Sequence, residues 1–413
     1  MGFTSIDDWI AKTTAGQFYR ADWNKMMNAA TGVAGSWMDC ALLSGNPPAN
    51  VHGEHVINGA PYCTAGATTG FGYTFGAQFL YGANKITKPD NSTAGSFTVL
   101  GKALVNTRVY RVVFTMVGTC ATGVKVTLGG GTSGTLRTTA NTYTESITAG
   151  SDGTGIVFTS VGATVGLAIT VISVIEILAA TTMEDTQPMG ALYHGGNVSP
   201  KTKHILNAEV HSVTATWNPA VWLLVDQLMC YPYIDMNSNT EQTLINNNTL
   251  PRYTDGVGVK AYLAPSTTLG AVAHTISIKY TNTLDATNKL LPVTVAGTTS
   301  CALSRIDHSG IVANNYAPFL PLAPGDLGMK SIQNITISAA TGSVNYATLV
   351  MCKPLMNLPC TTAAVASERD LMNQLPSLPR VYDGANLQWL CYLGGALVAS
   401  TSQAYGSIDF CWG

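Results

Sequence analysis

Residues 52–55, with the letters HGEH, place two imidazoles and a carboxylate side by side. On a helix, residues i and i+3 lie on one side and could hold a metal ion such as zinc. Gly53 and the nearby Pro47 and Pro48 favour a loop instead, and no third ligand follows at a recognisable spacing. We therefore expect hydrogen-bonded loop histidines and no metal site.

The stretch DMNSNTEQTLIN, which begins at Asp235, starts like a calcium-binding loop. The sixth position of such a loop needs Gly for its sharp turn and the twelfth needs a bidentate Glu, but Thr240 and Asn246 stand there. This excludes an EF-hand. A looser surface cation site stays open, without further support.

Two further stretches contain residue types that are used in catalysis. Residues 304–310, SRIDHSG, gather Ser, Asp and His, but a triad needs side chains that converge from distant segments, and neighbours on a strand point to opposite faces. Residues 129–134, GGGTSG, lack the Lys-Ser/Thr and the helix that a phosphate-binding loop requires. The GxSxG pattern of a nucleophile elbow is absent from the chain. We predict no catalytic residue, no cofactor-binding residue and no metal ligand.

Aromatic side chains are the remaining candidates for binding chemistry. They could stack on sugar rings, although aromatic residues of β proteins more often lie in cores and interfaces. The candidates are Trp37, Trp217, Trp222, Trp389 and Tyr143.

The composition is poor in charge. Hydrophobic residues make up 46% of the 413 residues and charged residues only 11%, against a usual fraction of about 25%. The net charge of −2 and the lack of a basic stripe argue against direct nucleic-acid binding. The apolar run 166–180 is short, is interrupted by Glu176 and is rich in Ile and Val, which indicates a buried strand and not a membrane span.

The cysteines form no CxxC pair and no regular spacing, so we expect buried free thiols in a reducing cytoplasm rather than disulfides or zinc ligands. No secretory signal is visible, and the four N-x-S/T sequons therefore carry little weight. The nine cysteines are Cys40, Cys63, Cys120, Cys230, Cys301, Cys352, Cys360, Cys391 and Cys411, and the sequons begin at Asn91, Asn197, Asn247 and Asn334.

Helical patterns occur near both ends of the chain. Ser5 can cap a helix, with Asp8 three residues later, and a second short amphipathic helix is indicated over 21–29. Together they predict an N-terminal helical arm over 1–30. Residues 363–375 predict one helix near the C-terminus, stopped by Pro376, and residues 408–412 alternate like a buried final strand.

Between these ends the pattern is that of short strands and Gly-rich turns, which predicts a mainly β fold of β-sandwich or jelly-roll domains. In a module over 89–182 we expect an outer strand at TLRTT (135–139) and strands near 97–100, 109–117, 124–128, 143–147, 156–159 and 165–178. In the rest of the chain we expect strands near 220–228, 257–263, 275–280, 291–295, 332–337 and 347–351.

Several of these stretches are similar to one protein family. Residues 110–159, from YRVVFTMVGTC to DGTGIVFT, resemble the carbohydrate-binding-module-like jelly rolls that are inserted in tailed-bacteriophage structural proteins. Five flanking segments resemble virion structural proteins of the same phages: FTSIDDWIAKTTAGQFYRADWNK, YHGGNVSPKTKHILNA, LPRYTDGVGV, SERDLMNQLPSLPRVYDGA and GSIDFCWG.

The resemblance implies a β-rich core of 31–88 plus 183–413, as one domain or as two split near 265, with the module 89–182 inserted. It implies a non-enzymatic capsid cement or decoration protein on the virion surface, synthesised in the host cytoplasm. Its expected partners are the major capsid protein, further copies of itself as a trimer, and host-surface glycans. A tail fibre or receptor-binding component is the first alternative, and a glycan-active enzyme is a more remote one.

Overall fold

The structure is a computed structural model. It describes residues 5–27, 34–49, 52, 55–58, 69–70, 73–75, 78–82, 85–99, 104–153, 155–185, 191–212, 220–290, 296–297, 301, 304–307, 318–342, 345–362, 365–374, 378–395 and 402–413. The predicted strand at 291–295 lies outside these residues.

The fold is mainly β, as predicted. The described elements, in chain order, are α1 Ile6–Thr14, β1 Phe18–Met27, β2 Ser36–Asp39, a 3₁₀ turn Cys40–Leu42, β3 Gly45–Asn46, β4 His55–Asn58, β5 Thr69–Gly70, β6 Tyr73–Phe75, β7 Leu80–Gly82, β8 Lys85–Thr87, β9 Gly95–Val99, β10 Val109–Cys120, β11 Val124–Leu128, β12 Asn141–Thr148, β13 Ile156–Ser160, β14 Thr164–Glu176, β15 Thr181–Thr182, β16 Lys203–Ser212, β17 Ala220–Asp235, β18 Gln242–Thr243, β19 Lys260–Pro265, β20 His274–Asn282, β21 Lys289–Leu290, β22 Ala296–Gly297, β23 Met329–Ile337, β24 Tyr346–Cys360, β25 Ser367–Asp370, α2 Leu371–Gln374, β26 Arg380–Val381, β27 Asn386–Leu393 and β28 Ser402–Trp412.

These strands belong to two compact units, Met1–His52 with Leu178–Gly413 (unit 1) and Gly53–Ile177 (unit 2). Unit 1 contains sheet 1 (β25-β16-β28-β1-β3, with β26 beside β16), sheet 2 (β19-β24-β17-β27-β2, with β15 beside β17) and sheet 3 (β18-β23-β20-β21, with β22 beside β20). Unit 2 contains sheet 4 (β12-β10-β14-β8-β7, with β4 beside β14) and sheet 5 (β11-β13-β9-β6-β5).

The core of unit 1 is built around the two long strands β17 and β24. One half of sheet 2 packs against sheet 1, around Trp23, Trp222 and Trp389. Its other half packs against sheet 3, around Tyr231 and Tyr280. Because β17 and β24 run through both halves, the described strands of unit 1 share one central sheet.

The first helix forms where the sequence predicts it. The Ser5 hydroxyl accepts a hydrogen bond from the Asp8 N–H at 3.1 Å, which satisfies an otherwise free donor of the first turn. The second predicted helix, over 21–29, is wrong where the chain is described. Residues up to Met27 form strand β1, which pairs with β28 along its whole length.

The predicted helix over 363–375 is also largely wrong. Residues Ser367–Asp370 form strand β25 and pair with β16, and only Leu371–Gln374 are helical. Backbone pairing with β16 overrides the local helical preference of this segment. The final strand is correct: β28 is a central strand of sheet 1, with Ile408 and Phe410 fully buried.

Unit 2 is a sandwich of sheets 4 and 5, with Phe97, Phe114 and Phe158 in its core. The six apolar runs predicted between 97 and 178 are all strands. Residues 135–139 are not a strand but carry one bridge of Arg137 to β11. The module extends further towards the N-terminus than the predicted boundary at residue 89, because β4 and β8 pair with β14 and β6 pairs with β9.

Candidate functional site

The described parts of five segments that are far apart in the sequence meet at one end of sheet 1: residues 3–25, 193–208, 250–259, 367–385 and 406–413. Near its first residues β16 is flanked on both sides, since Lys203 is opposite Trp412 of β28 and Val381 of β26. Tyr19 of β1 contacts Tyr193 just before β16. We call this region the aromatic end and define it by Tyr19, Tyr193, Tyr253, Tyr382 and Trp412.

A buried lysine lies beneath the aromatic end. Lys203 is 1% exposed, and its Nζ donates to His194 Nδ1 at 2.9 Å, to the His194 carbonyl at 2.7 Å and to the Gly196 carbonyl. The Trp412 ring centroid lies 5.2 Å from the same nitrogen. Burial lowers the pKa of Lys203 to about 8. Three acceptors require all three protons of an ammonium, so the amine has no free lone pair for nucleophilic chemistry.

The bond from Lys203 sets the state of His194. Because Nδ1 accepts a hydrogen bond from Lys203, the neutral ring carries its proton on Nε2. This nitrogen lies 3.3 Å from Asp185 Oδ2. Burial, together with the positive charge of Lys203, lowers the pKa of His194 to about 4. The imidazole is therefore neutral around pH 7 and acts as an acceptor for the lysine.

Two loops are clamped together beside this lysine. The Asp383 carboxylate accepts from the backbone N–H groups of Val198 at 2.8 Å and Ser199 at 3.1 Å. In return, Asn197 Oδ1 accepts from the Gly384 N–H at 2.9 Å. The Asn197 side chain, which belongs to one of the sequons, thus has a structural partner.

A buried ion pair continues the network. The Arg252 guanidinium binds both oxygens of Asp226, at 2.9 and 2.8 Å, and also donates to the carbonyls of Met183 and Gln227. The Asn386 N–H adds a third bond to the Asp226 carboxylate at 3.0 Å. These bonds hold Arg252, and with it the next residue, Tyr253, in a fixed position. The charges of Arg252 and Asp226 neutralise each other.

The aromatic side chains above this network are partly exposed. Tyr193 is 58% exposed and meets the edge of Tyr19 with centroids 5.3 Å apart. Tyr253 and Tyr382 meet at 4.8 Å, and the Arg380 guanidinium lies 4.1 Å from the Tyr382 centroid. Gly195, at φ 85°, permits this packing, because a Cβ there would lie 3.0 Å from that of Tyr19. Tyr, Trp and Arg are the residues enriched at the energetic centres of interfaces.

His52 is hydrogen-bonded, as expected, whereas His55 begins strand β4 and does not lie in a loop. His52 is buried, and its Nε2 lies 2.5 Å from Asp39 Oδ2, which also accepts from the Tyr262 hydroxyl at 2.7 Å. Glu54 and the His55 side chain lie outside the described residues. In the described part of the chain, no three His, Cys, Asp or Glu side chains are placed to hold a metal ion.

The residues of SRIDHSG do not form a triad among themselves in the described part. Asp307 Oδ2 lies 2.7 Å from Nε2 of His274, a residue that the sequence analysis did not single out and that lies 33 positions away. His274 Nδ1 lies 2.9 Å from the Val272 carbonyl. An acceptor facing each nitrogen favours the doubly protonated ring of His274. His308, Ser309 and Gly310 lie outside the described residues.

The other two stretches are turns. The Asp235 carboxylate accepts from the Asn237 N–H at 2.9 Å, and the Gln242 side chain closes the loop against the Asp235 backbone. Gly129 and Gly130, both at positive φ, follow β11 directly and make the predicted turn.

The proposed sugar platforms are mostly core residues, which corrects the stacking hypothesis for them. Trp37, Trp222 and Trp389 are at most 4% exposed. Tyr143 is half-buried, but the Arg137 guanidinium lies 4.6 Å from its ring centroid. Trp217 lies outside the described residues.

The described helices include none that is long and apolar enough to cross a membrane. No protein-family model matches the sequence, and no curated protein matches it significantly.

Solved structures give weak matches to components of viral particles. The structure of infectious bursal disease virus Gt strain is 13% identical, over 100% of this chain and 82% of that chain, with a TM-score of 0.13. The structure of the Gx strain is 11% identical, over 96% of this chain and 80% of that chain, with a TM-score of 0.15. The VP2 subviral particle of the same virus is 10% identical, over 78% and 84%, with a TM-score of 0.13. These scores are too low for the matches to carry an argument about this chain.

Proposed function

We propose that this chain is a structural protein of a tailed-phage virion, and specifically a cement or decoration protein that binds the assembled head shell. The observation that carries the proposal is the aromatic end. The five segments that resemble phage virion proteins lie far apart in sequence, yet they meet there, and the five aromatic side chains that define this end are partly exposed.

The chemistry of the aromatic end suits adhesion better than turnover. The charges beneath it are satisfied, because Lys203 donates to the neutral His194 and to two carbonyls, and Arg252 pairs with Asp226. Burying a satisfied network under a partner costs little, whereas an unpaired charge would cost several kcal/mol. The exposed aromatic rings supply contact area with few rotatable bonds.

The mechanism is mass action. A protein that binds the assembled shell, and not its free subunits, stabilises the shell by the free energy of that binding. The proposed partners are the major capsid protein and further copies of this chain, as a trimer. Host glycans are a proposed ligand of the module over 89–182, which contains none of the buried tryptophans.

The test is binding to shells that lack the protein. Tyr193→Ala removes the most exposed ring of the aromatic end, and Tyr405→Ala removes a ring of similar exposure (47%) from strand β28 as the matched control. We expect Tyr193→Ala to weaken binding by at least about tenfold and to abolish the heat resistance that the wild-type protein gives the shells, with Tyr405→Ala near wild type.

Equal binding of both variants, or shells that are as heat-resistant without the protein, would contradict the proposal. Localisation of the chain on the tail by electron microscopy would favour the first alternative, a tail fibre or receptor-binding component. Turnover of a polysaccharide by the purified protein would favour the glycan-active enzyme.

A further inference from the structure

The surface of the aromatic end carries two cations on its rings. The Arg380 guanidinium lies 4.1 Å from the Tyr382 ring centroid, and Lys353 Nζ lies 5.4 Å from the Tyr253 ring centroid. The two rings meet edge to face with their centroids 4.8 Å apart. One pair of tyrosine rings is therefore flanked by two positive charges.

Lys353 is held in this position by the loop that precedes β19. Its Nζ donates to the Val257 carbonyl at 2.7 Å, which uses one of the three protons of the ammonium group. Gly258, at φ 71°, leaves space for that group, because a Cβ at this residue would overlap Nζ. The side chain is half-buried, and burial lowers its pKa. Among the described contacts, two ammonium protons are left for bonds to a partner.

Neither cation is neutralised within its own chain. In the part of the chain that the structure describes, no carboxylate oxygen lies within 4.0 Å of Arg380 or Lys353, and Glu54 is the only acidic side chain outside that part. By contrast, Arg20 of β1 and Lys330 of β23 each have a carboxylate oxygen at 2.7 Å. The two charges on the rings are thus available to a partner.

The acidic residues of the adjoining loops bind backbone groups instead. Asp255 Oδ1 accepts from the Val257 N–H at 3.1 Å, and the Asp383 carboxylate accepts from two backbone N–H groups. The charge of Asp255 offsets only part of the effect of burial on the pKa of Lys353, which stays below its ordinary value. These carboxylates therefore do not take the place of an ion-pair partner.

Docking of the aromatic end against another protein would remove the two cations from water. Removal of a charge from water is unfavourable unless an opposite charge replaces the lost hydration. A carboxylate supplies that charge, and a guanidinium group such as that of Arg380 can bind both oxygens of one carboxylate. The partner surface that fits the aromatic end is therefore acidic.

We propose that the aromatic end binds an acidic patch of the shell protein, and that Arg380 and Lys353 pair with carboxylates of that patch. This inference rests on the proposed function, because it names the chemistry of the partner at the same surface. The aromatic rings supply contact area, and the two cations select an acidic surface and speed association at low salt.

Nucleic acid is a different class of acidic partner, and this surface fits it less well. A run of phosphates needs several cations along one path, whereas the two rings carry only Arg380 and Lys353. Asp255 and Asp383 lie in the adjoining loops and would repel phosphates. The net charge of −2 also opposes long-range attraction of a nucleic acid.

The first experiment measures how salt affects binding to shells that lack the protein. Arg380→Gln/Lys353→Gln removes both cations, and Lys85→Gln/Lys125→Gln is the matched control with the same change of net charge on β8 and β11. Raising the NaCl concentration from about 50 to about 500 mM should weaken wild-type binding by at least about tenfold, because salt screens exposed charges. At the lower concentration Arg380→Gln/Lys353→Gln should bind at least about tenfold more weakly than wild type and respond little to salt, whereas the control should match wild type.

The outcomes separate this inference from the proposed function. Salt-independent binding of the wild type, or equal losses in the two double variants, would overturn the acidic partner and leave shell binding in place. No binding of the wild type at any salt concentration would contradict both. Arg380→Lys keeps the charge and changes the packing on Tyr382, so it should keep the salt dependence. If it behaved like Arg380→Gln, the assigned pairing of Arg380 would be wrong.

The second experiment needs no shells and uses two soluble probes with the purified full chain. Poly-L-glutamate presents carboxylates, and oligothymidylate of equal length presents phosphates. Titration at low salt should show that poly-L-glutamate binds wild type several-fold more tightly than it binds Arg380→Gln/Lys353→Gln, and more tightly than oligothymidylate binds wild type. Tighter binding of oligothymidylate would overturn the proposal in favour of nucleic acid, and equal binding of poly-L-glutamate to wild type and variant would refute the role of the two cations.

Discussion

At the scale of single residues, the buried polar side chains described above mainly form hydrogen bonds that hold different strands and loops together. The candidate catalytic groups were neighbours in the sequence, as in SRIDHSG, but their partners in the fold come from other strands. Asp307 pairs with His274, and His52 pairs with Asp39. Residue types within a short stretch could not reveal these pairs, because the topology of the sheets decides which segments meet.

Two buried histidines should give opposite pH dependences. The pKa of His194 is lowered from 6.5 to about 4, so the unfolded chain binds a proton more tightly and acid favours unfolding. The contribution to stability is present above pH 6.5 and is lost as the pH falls towards 4, which corresponds to about 3 kcal/mol. Chemical denaturation at several pH values between 7 and 4 should show that the free energy of unfolding falls less for His194→Gln than for wild type.

His274 is the matched comparison. The hydrogen bond to the Asp307 carboxylate, with its negative charge, raises the pKa of His274 despite burial. Its contribution is therefore present below pH 6.5 and is lost as the pH rises through the raised pKa of the folded state. The difference in stability between wild type and His274→Gln should shrink on the alkaline side, and a difference that shrinks towards acid for both histidines would contradict these assignments.

At the scale of elements, strands in unit 2 could be predicted because polar and apolar residues alternate between clear Gly turns. Strand β1 was mistaken for a helix because one buried position holds a lysine. Lys25 is 1% exposed and donates to the carbonyls of Leu43 and Pro47, so the alternation of Ala21, Trp23, Lys25 and Met27 is hidden in the sequence. The aromatic end could not be predicted from local patterns, because it is assembled from five distant segments.

Strand β28 should be sensitive to one added methyl group. A Cβ at Gly406 would lie 2.0 Å from the Glu209 carbonyl oxygen of β16, and the Trp23 ring closes the space behind it. Since backbone atoms cannot move aside as side chains can, Gly406→Ala should lower the free energy of unfolding by about 2–4 kcal/mol. The control is Gln403→Ala, at an exposed position of the same strand, which should change stability by less than about 0.5 kcal/mol. Similar denaturation midpoints for the two variants would argue against this close approach of β28 to β16.

At the scale of the whole molecule, a chain with little charge forms two units that each have their own core. Phe97, Phe114 and Phe158 lie in the core of unit 2, whereas Trp23, Trp222 and Trp389 join two sheets of unit 1. Adhesive surfaces then need to be held by rigid sheets, because ordering them on binding would reduce affinity. The aromatic end has this support from the strands of sheet 1.

Because each unit has its own core, a substitution in one core should lower the local stability of that unit and leave the other unit unchanged. Phe158→Ala removes a fully buried ring that contacts Phe97 and Phe114, which should cost about 3–5 kcal/mol. Hydrogen exchange of the full chain, followed by mass spectrometry, should show faster exchange in β9–β14 and near wild-type protection in β17, β24 and β28. Trp222→Ala is the reciprocal variant and should speed exchange in β17, β27 and β28 while sparing β10 and β13. If either substitution sped exchange equally in both units, the two cores would be one cooperative system, because only a shared unfolding transition can carry the loss of one buried ring to strands that do not touch it.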